Sequence, residues 1–431
     1  MPSVASEKLR LQLEKVVPSE WRVMSIKQVA RLGSGTTPSR ANPGHYINGT
    51  VPWVKTGDLN NATIDRTEEL ITEAAIQECG CTLYPRHTVL IAMYGGFRQI
   101  GRTGLLINPA ATNQALTAIQ PHGETIIAEY IQEWLNHKVE FWRTIAASSR
   151  KDPNITKADI EEFPIPVPSL PLQRGIVRFG NAWERAIRDT ENLVGRKERL
   201  LAGLSQQLLT GETRIRGIRV SWRETRLRDV TNESICRYEG SRHPTSVMAV
   251  NKNLGLIPMR QRVIADSLKR YKVVPPRGFA YNPMRLNIGS IAMSQFDSEV
   301  LVSPDYVVFS CDQERLDPEY LNFVRRTHRW SQYVSSAGNG SVRVRIYYDD
   351  LGALKLKLPD IQEQYRISTI LAKCEKEIRL LRRQAELYRQ QKRWLMNELL
   401  MGQVRPLEYT LDPHAAHPFS TVTEQRGSVQ K

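Results

Sequence analysis

Arginine and glutamine side chains on glycine-flanked loops are the residues of this sequence with the most specific chemistry, because these types grip guanine and adenine edges through paired hydrogen bonds. Tyr94-Gly95-Gly96-Phe97-Arg98-Gln99-Ile100-Gly101-Arg102-Thr103 is one such segment, with Tyr94, Arg98, Gln99, Arg102 and Thr103 as candidate DNA contacts. Arg150, Lys151 and Asn154 form a second. A matching pair lies later in the chain: Arg285 with Gln295 falls near the place equivalent to Arg98, and Asn339, Ser341, Arg343 and Arg345 occupy the place of 148–154. Each of these side chains also has a plainer use as a solvated charge or phosphate contact, since half or more of protein–DNA hydrogen bonds go to the backbone. Trp53, Trp134 and Trp142 read instead as core.

Catalytic motifs fare worse. Tyr281-Asn282-Pro283-Met284 lacks the second proline and the aromatic of the amino-methyltransferase signature Asn-Pro-Pro-aromatic, and Gly33-Ser34-Gly35 and Gly95-Gly96 are too short for a cofactor loop. No Gly-x-x-x-x-Gly-Lys-Ser/Thr segment is present for ATP. The eight histidines do not cluster with the five cysteines, and no metal ligand set is expected.

What must position these loops is a duplicated frame. Asp159, Ile160, Phe163, Val167 and Pro168 find counterparts 191 residues later in Asp350, Leu351, Leu354, Leu358 and Pro359. Gln173, Ile176, Glu184 and Ile187 fall likewise on Gln364, Ile367, Glu375 and Ile378. A period this long denotes two tandem modules rather than a solenoid. Between such anchors the copies diverge, chiefly in the segments expected to be loops.

The expected order is a helical arm at 1–17, a mixed α/β module at 18–168, a spacer helix at 169–211, a second α/β module at 212–358, a second spacer helix at 359–405 and an aperiodic tail at 406–431. In the helices, Trp183 and Leu204 with Ile187, Val194, Leu201 and Leu208 form a heptad stripe. Ile378, Leu381, Tyr388, Leu395 and Leu399 repeat it. Extra apolar residues such as Leu193, Leu200, Ile370 and Leu380 widen each stripe, so these helices are expected to pack antiparallel as a coiled coil and to dock further subunits. A helix of about 40 residues is ~60 Å long, more than one turn of B-DNA.

At 431 residues the chain accommodates two such modules, and a net charge of +15 with an isoelectric point near 9.6 favours a polyanionic partner. No stretch approaches the ~20 apolar residues of a membrane span, and the cysteine spacing suggests no disulfide framework. The expectation is a cytoplasmic protein with no membrane partner.

Taken together, the chain resembles the DNA-specificity subunit of type I restriction-modification enzymes. The residues that carry the resemblance are Pro18-Ser19-Glu20-Trp21-Arg22, Val51-Pro52-Trp53-Val54, Asn113-Gln114, Pro164-Ile165-Pro166-Val167-Pro168 with Leu170-Pro171-Leu172-Gln173, and Leu208-Leu209-Thr210-Gly211. The second module adds Ser303-Pro304-Asp305-Tyr306-Val307-Val308 and Leu358-Pro359 with Gln362-Glu363-Gln364. The resemblance implies two target recognition domains, each reading one half of a bipartite, asymmetric sequence in double-stranded DNA, with the helices fixing the unread spacer. It implies as partners two methyltransferase (modification) subunits and two restriction (translocase-nuclease) subunits, which would bind S-adenosylmethionine, ATP and Mg. This chain would hold no cofactor and would not be catalytic. Two other readings stay open: the specificity part of a related system with fused methyltransferase and nuclease, and a coiled-coil scaffold that binds no DNA.

Overall fold

The computed structural model describes residues 4–96, 98–146, 154–215, 217, 220–240, 246–260, 264–265, 267–337 and 345–405. The chain is a mixed α/β protein in two compact units, Met1–Asp189 with Ala385–Lys431, and Thr190–Gln384. The division falls inside the two long helices, Leu170–Thr210 and Ile361–Leu400, so each unit contains a stretch of both.

The first unit is built on a five-stranded sheet ordered Ala30–Ser34, Leu116–Pro121, Val89–Ala92, Thr103–Leu106, Ala62–Ile64. Its central strands, Val89–Ala92 and Thr103–Leu106, are buried on both faces, which is why they read as apolar runs rather than alternating ones. A three-stranded sheet of Glu69–Ile71, Val51–Val54 and Ala111–Thr112 packs beside it, with Trp53 buried at 2% exposure. Helices Ala128–His137 and Val139–Ala146 cover the main sheet, and Trp134 and Trp142 are sealed in the core with Phe163. The expected N-terminal arm is the helix Val4–Val16, which buries Leu13 in the same core.

The second unit repeats the plan with its strands divided four and four between the two sheets instead of five and three. Thr231–Glu233, Val307–Cys311, Phe279–Tyr281 and Ile291–Met293 match the first four strands of the larger sheet, in the same order. Gly255–Pro258, Val247–Asn251, Val300–Val302 and Lys272–Val274 make the second sheet. In both units that second sheet contains one parallel pair, Val51–Val54 with Ala111–Thr112 and Val247–Asn251 with Val300–Val302. Each unit also closes on a two-stranded antiparallel ribbon that delivers the chain into a long helix: Arg22–Ser25 with Pro164–Val167, and Arg223–Arg226 with Lys355–Leu358.

The two long helices run antiparallel. In the first unit Gly180 faces the Met396 side chain, Glu184 pairs with Lys392, and Trp183 meets Tyr388 edge-on at 5.5 Å between ring centroids. In the second unit Lys197 bridges Glu377 at 2.9 Å and Arg382 bridges Glu198.

Candidate nucleic-acid interface

In the first unit the segment 93–102 spans the end of the strand pair Val89–Ala92 and Thr103–Leu106. Its path depends on glycine: Gly95, Gly96 and Gly101 have φ of +112°, +79° and +76°, in the region side chains avoid. A Cβ on Gly101 would come within 2.7 Å of Trp142 Cδ1, so the loop also needs glycine to lie on the core. Successive turns hold it, with Gln99 N–H donating to Gly96 O at 2.9 Å and Arg102 N–H to Gln99 O at 2.9 Å. Among its described residues, Tyr94 and Arg98 are exposed and Gln99 and Arg102 half-buried.

Thr103 does not belong with them. It is fully buried, and its hydroxyl donates to Asn136 Oδ1 at 2.7 Å and faces Gln132 Nε2 at 3.3 Å. The expectation that it contacts DNA is corrected: it ties the base of the loop to the helix Ala128–His137, because both faces of its strand are covered.

The second candidate segment is brought to the first. Ile155 N–H donates to Met93 O at 3.1 Å, so half-buried Asn154 lies against the start of the 93–102 loop. Arg150 and Lys151 lie outside the described residues.

The second unit builds the same junction from different residues. Segment 282–290 joins Phe279–Tyr281 to Ile291–Met293, with Asn282 N–H donating to Ser290 O at 3.1 Å and Arg285 N–H to Asn282 O at 3.0 Å. Asn282 Oδ1 accepts from Met284 N–H at 2.9 Å, and Gly289 takes φ +89° to close the loop. Arg285 is exposed at its head. Ile346 N–H donates to Pro283 O at 3.0 Å and sets exposed Arg345 beside this loop, as Ile155 sets Asn154 in the first unit. Asn339, Ser341 and Arg343 lie outside the described residues.

Gln295 is misplaced by the sequence argument. Met293 pairs with Phe279 and Ser294 N–H donates to Gly278 O at 2.7 Å, so exposed Gln295 follows the far end of the hairpin. Three strand residues, about 10 Å, separate it from the Arg285 loop. At the offset of 191 Gln295 falls on Gly104, already inside the strand Thr103–Leu106, so its correspondence with Arg98 does not hold. An exposed cation that the sequence reading passed over, Arg237, follows the strand Thr231–Glu233 as the chain leads toward the Arg285 end of the sheet.

Several other cations are neutralised by carboxylates. Arg40 is held by Glu69 at 2.6 Å, Lys55 by Glu68 and Glu69, and Arg277 by buried Asp317 at 2.6 Å. Among the described residues, no acidic side chain pairs with Arg98, Arg102, Arg285 or Arg345. Nor do three or more His, Cys, Asp or Glu side chains gather in a way that could hold a metal ion among the described residues. No helix among them is long and apolar enough to cross a membrane.

The apolar stripes of the long helices are spent inside the chain. Trp183, Ile187, Leu208, Ile378 and Leu399 are buried, and Val194, Leu201, Leu204, Leu381, Tyr388 and Leu395 half-buried. The expectation that these residues form a free docking face is therefore corrected: a seam residue is covered by the facing helix. The large apolar side chains left open are Leu193 and Leu200 on the first helix and Tyr365, Ile370, Leu380, Leu387 and Trp394 on the second.

Residues 18–193 match the family described as Type I restriction modification DNA specificity domain. The MjaIX type I restriction enzyme specificity subunit of Methanocaldococcus jannaschii is 31% identical over 165 residues, 37% of this chain and 37% of that protein. A type I restriction enzyme specificity subunit of Escherichia coli is 26% identical over 162 residues, 37% of this chain and 39% of that protein. The matched stretch thus spans well under half the length of either relative. The crystal structure of a type I restriction-modification system S subunit from M. genitalium superposes with a TM-score of 0.55, covering 90% of this chain and 98% of that one at 11% identity, which shows a shared fold.

Proposed function

We infer, from a chain whose residues 18–193 match the type I restriction modification DNA specificity domain family, a non-catalytic specificity subunit in which each unit reads one half of a bipartite, asymmetric DNA site. One observation carries this reading. The same backbone hydrogen bond, Ile155 to Met93 and Ile346 to Pro283, joins the same two segments in both units, while the side chains they offer differ. A shared frame with different polar groups at one sheet end is what two unlike half-sites require. The arginines there lack acidic partners among the described residues, which leaves their fork geometry available to base edges and phosphates.

The paired helices set the unread spacer, and their open apolar residues dock methyltransferase subunits. S-adenosylmethionine, ATP and Mg belong to the modification and restriction partners in this reading. The test is selection of bound sequences from a pool of randomised duplexes by the full chain. Arg98→Ala and Arg285→Ala should each relax one position, at a cost of about 1–3 kcal/mol, and in different half-sites. Loss of the same positions in both variants overturns the division of labour.

A further inference from the structure

At the start of the second strand of each main sheet, Leu116–Pro121 and Val307–Cys311, lies a four-residue turn with the same closing bond. Leu116 N–H donates to Asn113 O at 3.2 Å, and Tyr306 N–H donates to Ser303 O at 3.0 Å. The strand register fixes where these turns sit. Leu116 pairs with Ala92, the last residue before the Arg98 loop, and Val307 pairs with Tyr281, the last before the Arg285 loop. In the first unit the contact is direct: Met93 donates its N–H to Ala115 O at 2.9 Å and accepts from Ile155 N–H at 3.1 Å. One residue's backbone therefore joins the turn, the arginine loop and the Asn154 segment. Neighbouring strands pin the approach to the turn, with Thr36 N–H donating to Thr112 O at 2.9 Å and Asn113 N–H to Val54 O at 3.0 Å.

The two turns present different chemistry. In Asn113-Gln114-Ala115-Leu116 the exposed polar side chain is Gln114, and in Ser303-Pro304-Asp305-Tyr306 it is Asp305. A carboxamide carries a donor and an acceptor side by side, the complement of the adenine major-groove edge. A carboxylate only accepts and is repelled by phosphates, so at a DNA-facing edge it is favourable only opposite an amino donor such as cytosine N4.

Resting on the two-half-site reading above, we propose that this turn is a third base-reading segment, with Gln114 determining specificity in one half-site and Asp305 in the other. Gln114 engages an adenine edge, and Asp305 selects a base that offers an exocyclic amino group.

The experiment is selection from randomised duplexes by the full chain carrying Gln114→Ala, Gln114→Glu, Asp305→Ala or Asp305→Asn. Each alanine variant is expected to lose roughly ten- to a hundred-fold discrimination at a single position, in opposite half-sites. Gln114→Glu should shift the preference at its position, and Asp305→Asn should admit a base without the amino group. Unchanged preferences overturn the proposal, as does a loss uniform over all sequences, the signature of a contact to the DNA backbone. The wild-type chain separates the two levels of inference. If it selects no sequence, the function proposed above falls and this assignment with it. If it selects a bipartite site that only the turn variants leave intact, this assignment falls alone.

Discussion

Gln173, near the start of the first long helix, accepts a hydrogen bond from Ile127 N–H on its Oε1 at 3.0 Å, and its Nε2 donates to Thr125 O and Pro168 O at 3.0 and 2.8 Å. The side chain is fully buried, and three backbone groups depend on it. Gln364 does the same in the second unit, accepting from Asp317 N–H at 2.9 Å and donating to Arg315 O and Pro359 O at 3.0 Å each. Each long helix is thus locked at its first turn to the loop ahead of a covering helix.

Replacing either glutamine by leucine should be strongly destabilising, because an isosteric apolar group strands one donor and two acceptors in the core. Each orphaned group costs about 1–3 kcal/mol, and about 3 kcal/mol or more is expected in total. Hydrogen exchange reports it locally: the Ile127 amide should lose protection in Gln173→Leu and the Asp317 amide in Gln364→Leu. Retained protection at those amides would show that the lock is not needed.

The helix C-termini offer a contrast. Gly211 and Gly402 both adopt positive φ, +79° and +71°, but a Cβ on Gly211 would meet Trp222 at an ordinary 3.4 Å, whereas one on Gly402 would lie 2.4 Å from Pro18 Cδ. Gly211→Ala should cost about 1 kcal/mol for the backbone alone. Gly402→Ala adds overpacking of roughly 1–3 kcal/mol. Urea denaturation of the two variants should rank them in that order, and equal midpoints would contradict it.

The duplication and the Gln173 and Gln364 anchors were legible because each is fixed by local chemistry repeated at a constant spacing. The interface was legible only in part. Arg98 and Arg285 stand at matching loop heads because the strands before them keep register, whereas Gln295 falls at the offset on a strand residue, Gly104, and lies at the other hairpin end. Thr103 shows a second limit. A threonine on a loop edge and one in a buried strand have the same sequence neighbours, and only the partner Asn136 tells them apart. The heptad stripe was right about apolarity, but a seam and a docking face share the same periodicity.

His137 sets a pH dependence within the first unit. Burial, with Lys138 beside it, holds its pKa down to about 4, against the opposing effect of Nε2 lying 3.2 Å from Asn397 Oδ1. The unfolded chain binds a proton near pH 6.5 and the folded one does not, so stability falls as pH drops from about 6.5 toward 4. The loss is at most roughly 3–4 kcal/mol. His137→Gln, which does not titrate, should flatten that part of a denaturation-against-pH curve, and a curve of unchanged slope would assign it to other groups.

Trp183 and Trp394 should respond in opposite ways to alanine substitution. Trp183 is 6% exposed and meets Tyr388 across the helix seam, so its removal leaves a cavity costing about 3–5 kcal/mol. Trp394 is 60% exposed one heptad beyond Leu387, itself 46% exposed. Its removal should leave thermal unfolding unchanged within about 0.5 kcal/mol, as for a surface position. If the open side of the second helix docks a methyltransferase subunit, an exposed tryptophan there is the strongest anchor available, and Trp394→Ala should weaken co-sedimentation of the two chains by about 2 kcal/mol or more. Normal assembly with Trp394→Ala would move the docking face elsewhere, with Leu193 and Leu200 on the first helix as the next surface to alter.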